Sequence, residues 1–245
     1  EIIKKTINFV DGRVPVIAHI GSIGTKITTE LGQCAEEIGV DALSALPPFY
    51  YGFSNDEIFN YYQDISNSTN LPITVYNISH AHLMDLDMLK RLASIKNVKG
   101  VKYTAPTHFN FSKIKKEIGI NFKIYSGMDE MSLSGLISGA DGIIGSFYNL
   151  MPELFVDIYA KIKEENINEA KKIQEKINII IMYALSKSGY PFIKMGLNWL
   201  DVDSGYVRKP FTTFVDKEIE NIIKKDLKKL TDQNDLSGIK FLEKL

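Results

Sequence analysis

Val98-Lys99-Gly100-Val101-Lys102-Tyr103-Thr104 is the stretch on which the fold turns. Val98, Val101 and Tyr103 are the β-branched and aromatic residues of a buried strand. Lys102, near the end of that strand, stands where the core of a βα barrel ought to be apolar. Lysine is almost never fully buried without a partner or a task. An amine held there loses hydration, its ammonium form is disfavoured, and a neutral nucleophile that attacks ketones becomes accessible near neutral pH. Lys99, three residues earlier, falls on the opposite face and reads as solvated or helix-facing.

Outward from this strand, short β-rich apolar runs alternate with longer stretches of helical period, the pattern of parallel strands joined by crossover helices. Six strands are expected, at Val14 to Ile20, Ala42 to Leu46, Ile73 to Asn77, Val98 to Tyr103, Phe122 to Ser126 and Gly142 to Gly145. Amphipathic segments near 27–38, 54–67, 85–94, 109–118 and 129–138 fall between them, several opened by Ser, Thr or Asp at the N-cap position. The first ten residues read as one more helix. After Gly145 the strands stop, and helices are expected at roughly 152–164, 167–187, 190–199 and 216–230. The paired lysines Lys224-Lys225 and Lys228-Lys229 read as a solvated helix face. No low-complexity linker or longer repeat is visible.

The fold expected is therefore α/β, a TIM (β/α)8 barrel with extra C-terminal helices. Residues 1–150 would form the barrel portion, with six of eight strands. Residues 151–245 would add the last barrel helix and a helical extension within the same structural unit. A closed barrel needs eight strands, and six alone would leave two exposed sheet edges. The first two βα units are thus expected upstream of Glu1, since the chain opens on Glu-Ile-Ile-Lys-Lys rather than on a methionine or a charged-then-apolar leader pattern.

The 245 residues are 44% hydrophobic and 24% charged, enough for one large core. Basic and acidic residues number 29 and 30, and no long single-sign block suggests a nucleic-acid surface. The partner expected is a small molecule. Cys34 cannot form an internal disulfide, and no apolar run approaches the ~18 residues of a membrane span, so a cytoplasmic protein fits.

In a βα barrel the site lies at the C-terminal ends of the strands. Four successive strands deliver polar groups there: Tyr76; Lys102 and Thr104; Gly127, Asp129 and Glu130; and Ser146. Each has a plainer reading. Tyr76 could be a core tyrosine with a bonded hydroxyl, Ser146 could cap the following helix, and Asp129-Glu130 could complement a helix dipole. His80 and His82, two apart on a loop, could ligate a metal or only be solvated; no metal is expected.

Six dispersed segments make the pattern specific. They are Ala45-Leu46-Pro47-Pro48-Phe49-Tyr50-Tyr51, Ile73 to Asn77, Gly100 to Thr104, Gly127-Met128-Asp129-Glu130, Gly139 to Ser146, and Arg208-Lys209-Pro210-Phe211. In this order and spacing they resemble the N-acetylneuraminate lyase branch of the dihydrodipicolinate synthase superfamily, over nearly the whole chain.

The resemblance implies a class I aldolase in which Lys102 forms an imine with a sialic acid and releases pyruvate and N-acetylmannosamine. Tyr76, with the substrate carboxylate, would relay the C4 hydroxyl proton, since an unperturbed phenol near pKa ~10 needs help. Thr104 would hold that phenol or nearby hydroxyls. Asp129, Glu130, Gly127 and Ser146 would receive the polyhydroxyl tail, and Tyr190 would line the pocket. Tyr50, rather than Tyr51, would reach a neighbouring subunit's site in a homotetramer built as a dimer of dimers. No cofactor beyond the covalent imine is implied.

After Tyr76 the synthases carry an arginine for a dicarboxylic substrate, whereas this chain reads Asn77-Ile78-Ser79-His80-Ala81-His82. The family's Gly-Ser-Thr-Gly-Glu turn, which binds the pyruvyl carboxylate, is not in the sequence, so residues 1–245 alone are expected to show negligible lyase activity and poor solubility. Two other readings remain: a pyruvate-dependent aldolase acting on a 2-keto-3-deoxy sugar acid, with the same Lys102/Tyr76 pair, and a non-catalytic sugar-acid-binding descendant. A binder has no need of a nucleophilic amine beside a phenol.

Overall fold

Six short strands, β1 (Ile17–His19), β2 (Ala42–Ala45), β3 (Ile73–Ile78), β4 (Val98–Thr104), β5 (Lys123–Ser126) and β6 (Gly142–Ile143), pair in chain order, all parallel. This is the strand order and direction of a βα barrel, in six of its eight strands. The computed structural model describes residues 1–212 and 216–245. They form two compact units, one of Glu1–Met128 with Ser138–Ile143, the other of Asp129–Ile137 with Ile144–Leu245.

The first unit holds the sheet together with α1 (Ile2–Val10), α2 (Thr25–Ile38), α3 (Asn55–Ser68), α4 (Leu86–Ala93) and α5 (Asn110–Glu117). The two faces of its strands differ sharply. Ala18, Leu43, Ala45, Ile73, Val75, Val101, Tyr103 and Ile124 are buried and join one apolar cluster with helix residues such as Ile58, Leu89 and Phe111. On the alternate positions stand His19, Ser44, Thr74, Tyr76, Lys102, Thr104 and Tyr125. The period of two thus sends most aliphatic side chains toward the helices and most polar ones to the other face, which also carries Ile17, Ala42 and Ile78.

Local chemistry fixes the crossovers. Ser54 opens α3 with a capping box, accepting from the Glu57 amide while Glu57 accepts from the Ser54 amide. The Asp85 carboxylate accepts from the Met88 amide at the start of α4. The first strand is shorter than expected. Val14, Pro15 and Val16 precede it, because the Val16 amide donates to the Asp41 carboxylate at 2.6 Å instead of to a strand partner. The last strand is only two residues long.

The second unit is helical: α6 (Ser132–Ile137), α7 (Pro152–Lys163), α8 (Ile167–Ser186), α9 (Tyr190–Trp199) and α10 (Lys217–Asn234). Its interior includes Leu154, Phe155, Ile158, Ile177, Ile180, Ile181 and Phe192. Asp129–Met131, expected as the start of a helix, forms a 3-10 turn ahead of α6. α10 runs four residues beyond the expected end, to Asn234. Among the described residues no helix is long and apolar enough to cross a membrane.

Candidate active site

In the first unit, strand register places Tyr76, Lys102 and Tyr125 side by side on the polar face of β3, β4 and β5. The Lys102 amine sits 4.0 Å from the centroid of the Tyr76 ring, within range of a cation–π contact. Among the described residues it forms no ion pair, and the Tyr76 hydroxyl makes no hydrogen bond. Tyr76 is therefore not a core tyrosine with a satisfied hydroxyl. The surroundings of Lys102 also correct the expectation of an apolar setting. The residue is half-buried, and its neighbours on that face are Tyr76, Thr104 and Tyr125.

Thr104, two residues beyond Lys102 on the same face, has a hydroxyl shielded from solvent and without a partner. An unsatisfied buried hydroxyl is costly and marks a place where a ligand would supply the missing bond. Gly127 closes the group. Its amide donates to the Tyr103 carbonyl at 2.9 Å. A methyl group at this position would overlap Thr104 Oγ1 and lie 3.2 Å from Lys102 Cε. Only glycine lets the backbone pass this close.

His19, at the end of β1, belongs to the same set and was not singled out from sequence. Its ring lies edge-on to Tyr76, with centroids 6.0 Å apart and planes at 86°. Loss of water around the imidazole, and secondarily the charge of Lys102, hold its pKa below the usual 6.5. Its position at a strand end was the available signal, but a lone histidine in a sequence has too many uses to be informative.

The second unit brings Asp129, Glu130, Ser146 and Tyr190 together around a cavity of about 400 Å3, walled by Ile181, Leu185 and Ile193. The two acids differ. Asp129 is buried and accepts from the Phe147 amide at 2.7 Å. Its carbonyl also accepts from Ser132 Oγ and Gln174 Nε2. Glu130 is exposed and accepts no hydrogen bond among the described residues. The Ser146 side chain does not cap the turn that follows it. Tyr190 packs edge-on to Phe211 at 5.6 Å.

Tyr50 and Tyr51 stand on the loop after β2, 72% and 71% exposed, ring against ring at 4.8 Å. His80 and His82 occupy the loop after β3. Among the described residues no group of three or more His, Cys, Asp or Glu side chains could hold a metal ion.

The model of the dihydrodipicolinate synthetase family matches residues 1–230. Among solved structures, the N-acetylneuraminate lyase of Fusobacterium nucleatum is 34% identical, with a TM-score of 0.84 over 92% of this chain and 78% of that one. The Clostridium difficile protein CdNal, solved with mannosamine, is 32% identical, with a TM-score of 0.88 over 93% and 79%. A catalytic-lysine mutant of the Ruminococcus gnavus sialic acid aldolase is 31% identical, with a TM-score of 0.88 over 94% and 77%. Dihydrodipicolinate synthases also match, one at 28% identity. With its parallel βα order and a family match over residues 1–230, the chain belongs to the dihydrodipicolinate synthetase family, whose members are lyases of the aldolase type.

Proposed function

We propose that this protein is a cytosolic class I aldolase that cleaves N-acetylneuraminate to pyruvate and N-acetylmannosamine. The observation that carries the reading is the Lys102 amine held 4.0 Å over the ring of a tyrosine whose hydroxyl is unengaged. The sialic acid aldolases among the solved relatives support the substrate, and one of them has a catalytic lysine.

In the proposed reaction the neutral amine of Lys102 adds to the C2 ketone, and the carbinolamine loses water to give a protonated imine. The Tyr76 phenol takes up the C4 hydroxyl proton as it passes its own proton to the substrate carboxylate, which holds it. The C3–C4 bond then breaks, its electron pair passing into the imine to form an enamine, and the C4 carbonyl leaves as N-acetylmannosamine. The held proton is returned to C3 of the enamine through the phenol, and water hydrolyses the imine to release pyruvate and restore the amine. No metal or cofactor takes part in these steps.

The Thr104 hydroxyl gains its missing hydrogen bond from the substrate or the phenol, while Gly127 leaves space beside the imine. Glu130 and Ser146 accept hydroxyls of the sugar tail, Asp129 contributes a second carboxylate beside them, and Tyr190 lines the apolar wall. Tyr50 extends from its loop to a second subunit of a homotetramer, in keeping with its exposure. The synthases among the matches favour a second reading, a pyruvate-dependent aldolase with a different aldehyde.

Reduction traps an imine as a stable adduct. Borohydride treatment of the full natural chain with pyruvate, followed by peptide mass mapping, should therefore place a pyruvyl group on Lys102 and lose it in Lys102→Ala. A folded protein with no adduct would overturn the aldolase reading. Offering N-acetylmannosamine and other sugar aldehydes against pyruvate then separates the two substrates. Turnover confined to an aldehyde other than N-acetylmannosamine would exclude the sialic acid.

A further inference from the structure

The aldolase reading gives work to Lys102, Tyr76 and Thr104, but it leaves the titratable ring at the end of β1 unexplained. His19 lies two strands from Tyr76; on β2 its register partner is the small Ser44, which pairs in turn with Thr74, two residues before Tyr76 on the same face of β3. That gap lets the imidazole reach across β2 to meet Tyr76 edge to face, at 6.0 Å and 86°. Such T-shaped pairs are a preferred aromatic geometry. Behind the imidazole is Gly21, where a methyl group would lie 3.0 Å from His19 Nε2 and 2.6 Å from the Leu46 amide nitrogen. His19 is exposed, and its ring lies between the Gly21 backbone and the tyrosine.

We propose that His19 is a positioning residue of the active site, a fixed ring that holds the Tyr76 phenol over the Lys102 amine. The inference rests on the aldolase reading. A phenol that swings freely would still permit an imine to form on Lys102. It would seldom stand where the C4 hydroxyl proton must be accepted, and misplacement by about 1 Å can cost ~10²-fold in rate. His19 therefore acts on bond cleavage and not on imine formation. A nonpolar flat ring in its place would perform the same task, because the contact is one of shape and quadrupole and not of proton transfer.

The experiment compares His19→Ala and His19→Phe with the wild-type full chain, in steady-state cleavage and in borohydride trapping with pyruvate. His19→Ala is expected to lower kcat by about tenfold to 10²-fold with KM little changed, the signature of an interaction made in the transition state. Its rate of trapping at Lys102 stays at the wild-type value. His19→Phe recovers kcat to within about threefold of wild type, since the edge-to-face contact survives. Wild-type kcat in His19→Ala would overturn the positioning role. So would a His19→Phe variant that traps pyruvate normally yet is as slow as His19→Ala, because the ring contact would then not be what matters. Failure of wild type itself to form the adduct is a different result, one that removes the aldolase reading and His19's role with it.

Discussion

At the scale of single residues, the polar face of β3 and β4 sets the Lys102 amine over the Tyr76 ring beside a Thr104 hydroxyl without a hydrogen-bond partner. Removing the phenol tests how labour is divided. Tyr76→Phe keeps the ring beneath the amine, so trapping of pyruvate should persist while cleavage falls about 10²- to 10⁴-fold, the usual loss of a general acid–base group. His19 offers a spectroscopic check of the same geometry. Its pKa is held down first by loss of hydration and then by Lys102. Lys102→Met should accordingly raise the His19 titration midpoint seen by ring-proton NMR, while leaving it below the usual 6.5 because the first cause remains. An unchanged midpoint would mean the two side chains do not sense each other. Since the unfolded chain takes up that proton first, His19 withdraws stability as pH falls below its unfolded value of about 6.5.

At the scale of elements, the helices and strands were legible because the two hydrophobic periods alternate along the chain and because Ser54, Asp85 and Pro152 mark helix starts. Less visible were hydrogen bonds that join segments distant in sequence. Asn77 was read as the end of a strand, but its buried amide grips both the amide and the carbonyl of Met84, fixing the loop that carries His80 and His82. Gln174 of α8 looked like one polar residue on a helix, yet it accepts from the Leu133 amide at 2.9 Å and donates to the Asp129 carbonyl at 3.2 Å. Periodicity reports which face a residue occupies and carries no information about partners forty positions away. Gln174→Leu strands the Leu133 amide. It should lower stability to denaturant by about 1–3 kcal/mol, the cost of a buried polar group without its partner. A shift of less than a few tenths of that range would show that the Asp129–Leu133 segment is held by other contacts.

At the scale of the whole molecule, the family and the βα order were readable from dispersed motifs, whereas the character of the sheet's second face was not. Lys102 looked anomalous because a strand was assumed to have apolar surroundings on both sides. In the structure one face holds the aliphatic packing and the other is polar from His19 across to Tyr125. Substitutions along the strands should therefore divide by parity. Leu43→Ala, Val75→Ala or Ile124→Ala should cost about 2–4 kcal/mol each, read as a lowered melting temperature. Ser44→Ala, Thr74→Ala or Tyr125→Phe should leave melting nearly unchanged and alter turnover. Loss of stability on both faces alike would refute this separation. A sheet so divided has a consequence for descent. Selection can rewrite the polar face toward a new aldehyde without disturbing what keeps the chain folded, so a duplicated gene for this protein begins its divergence with its architecture already insured.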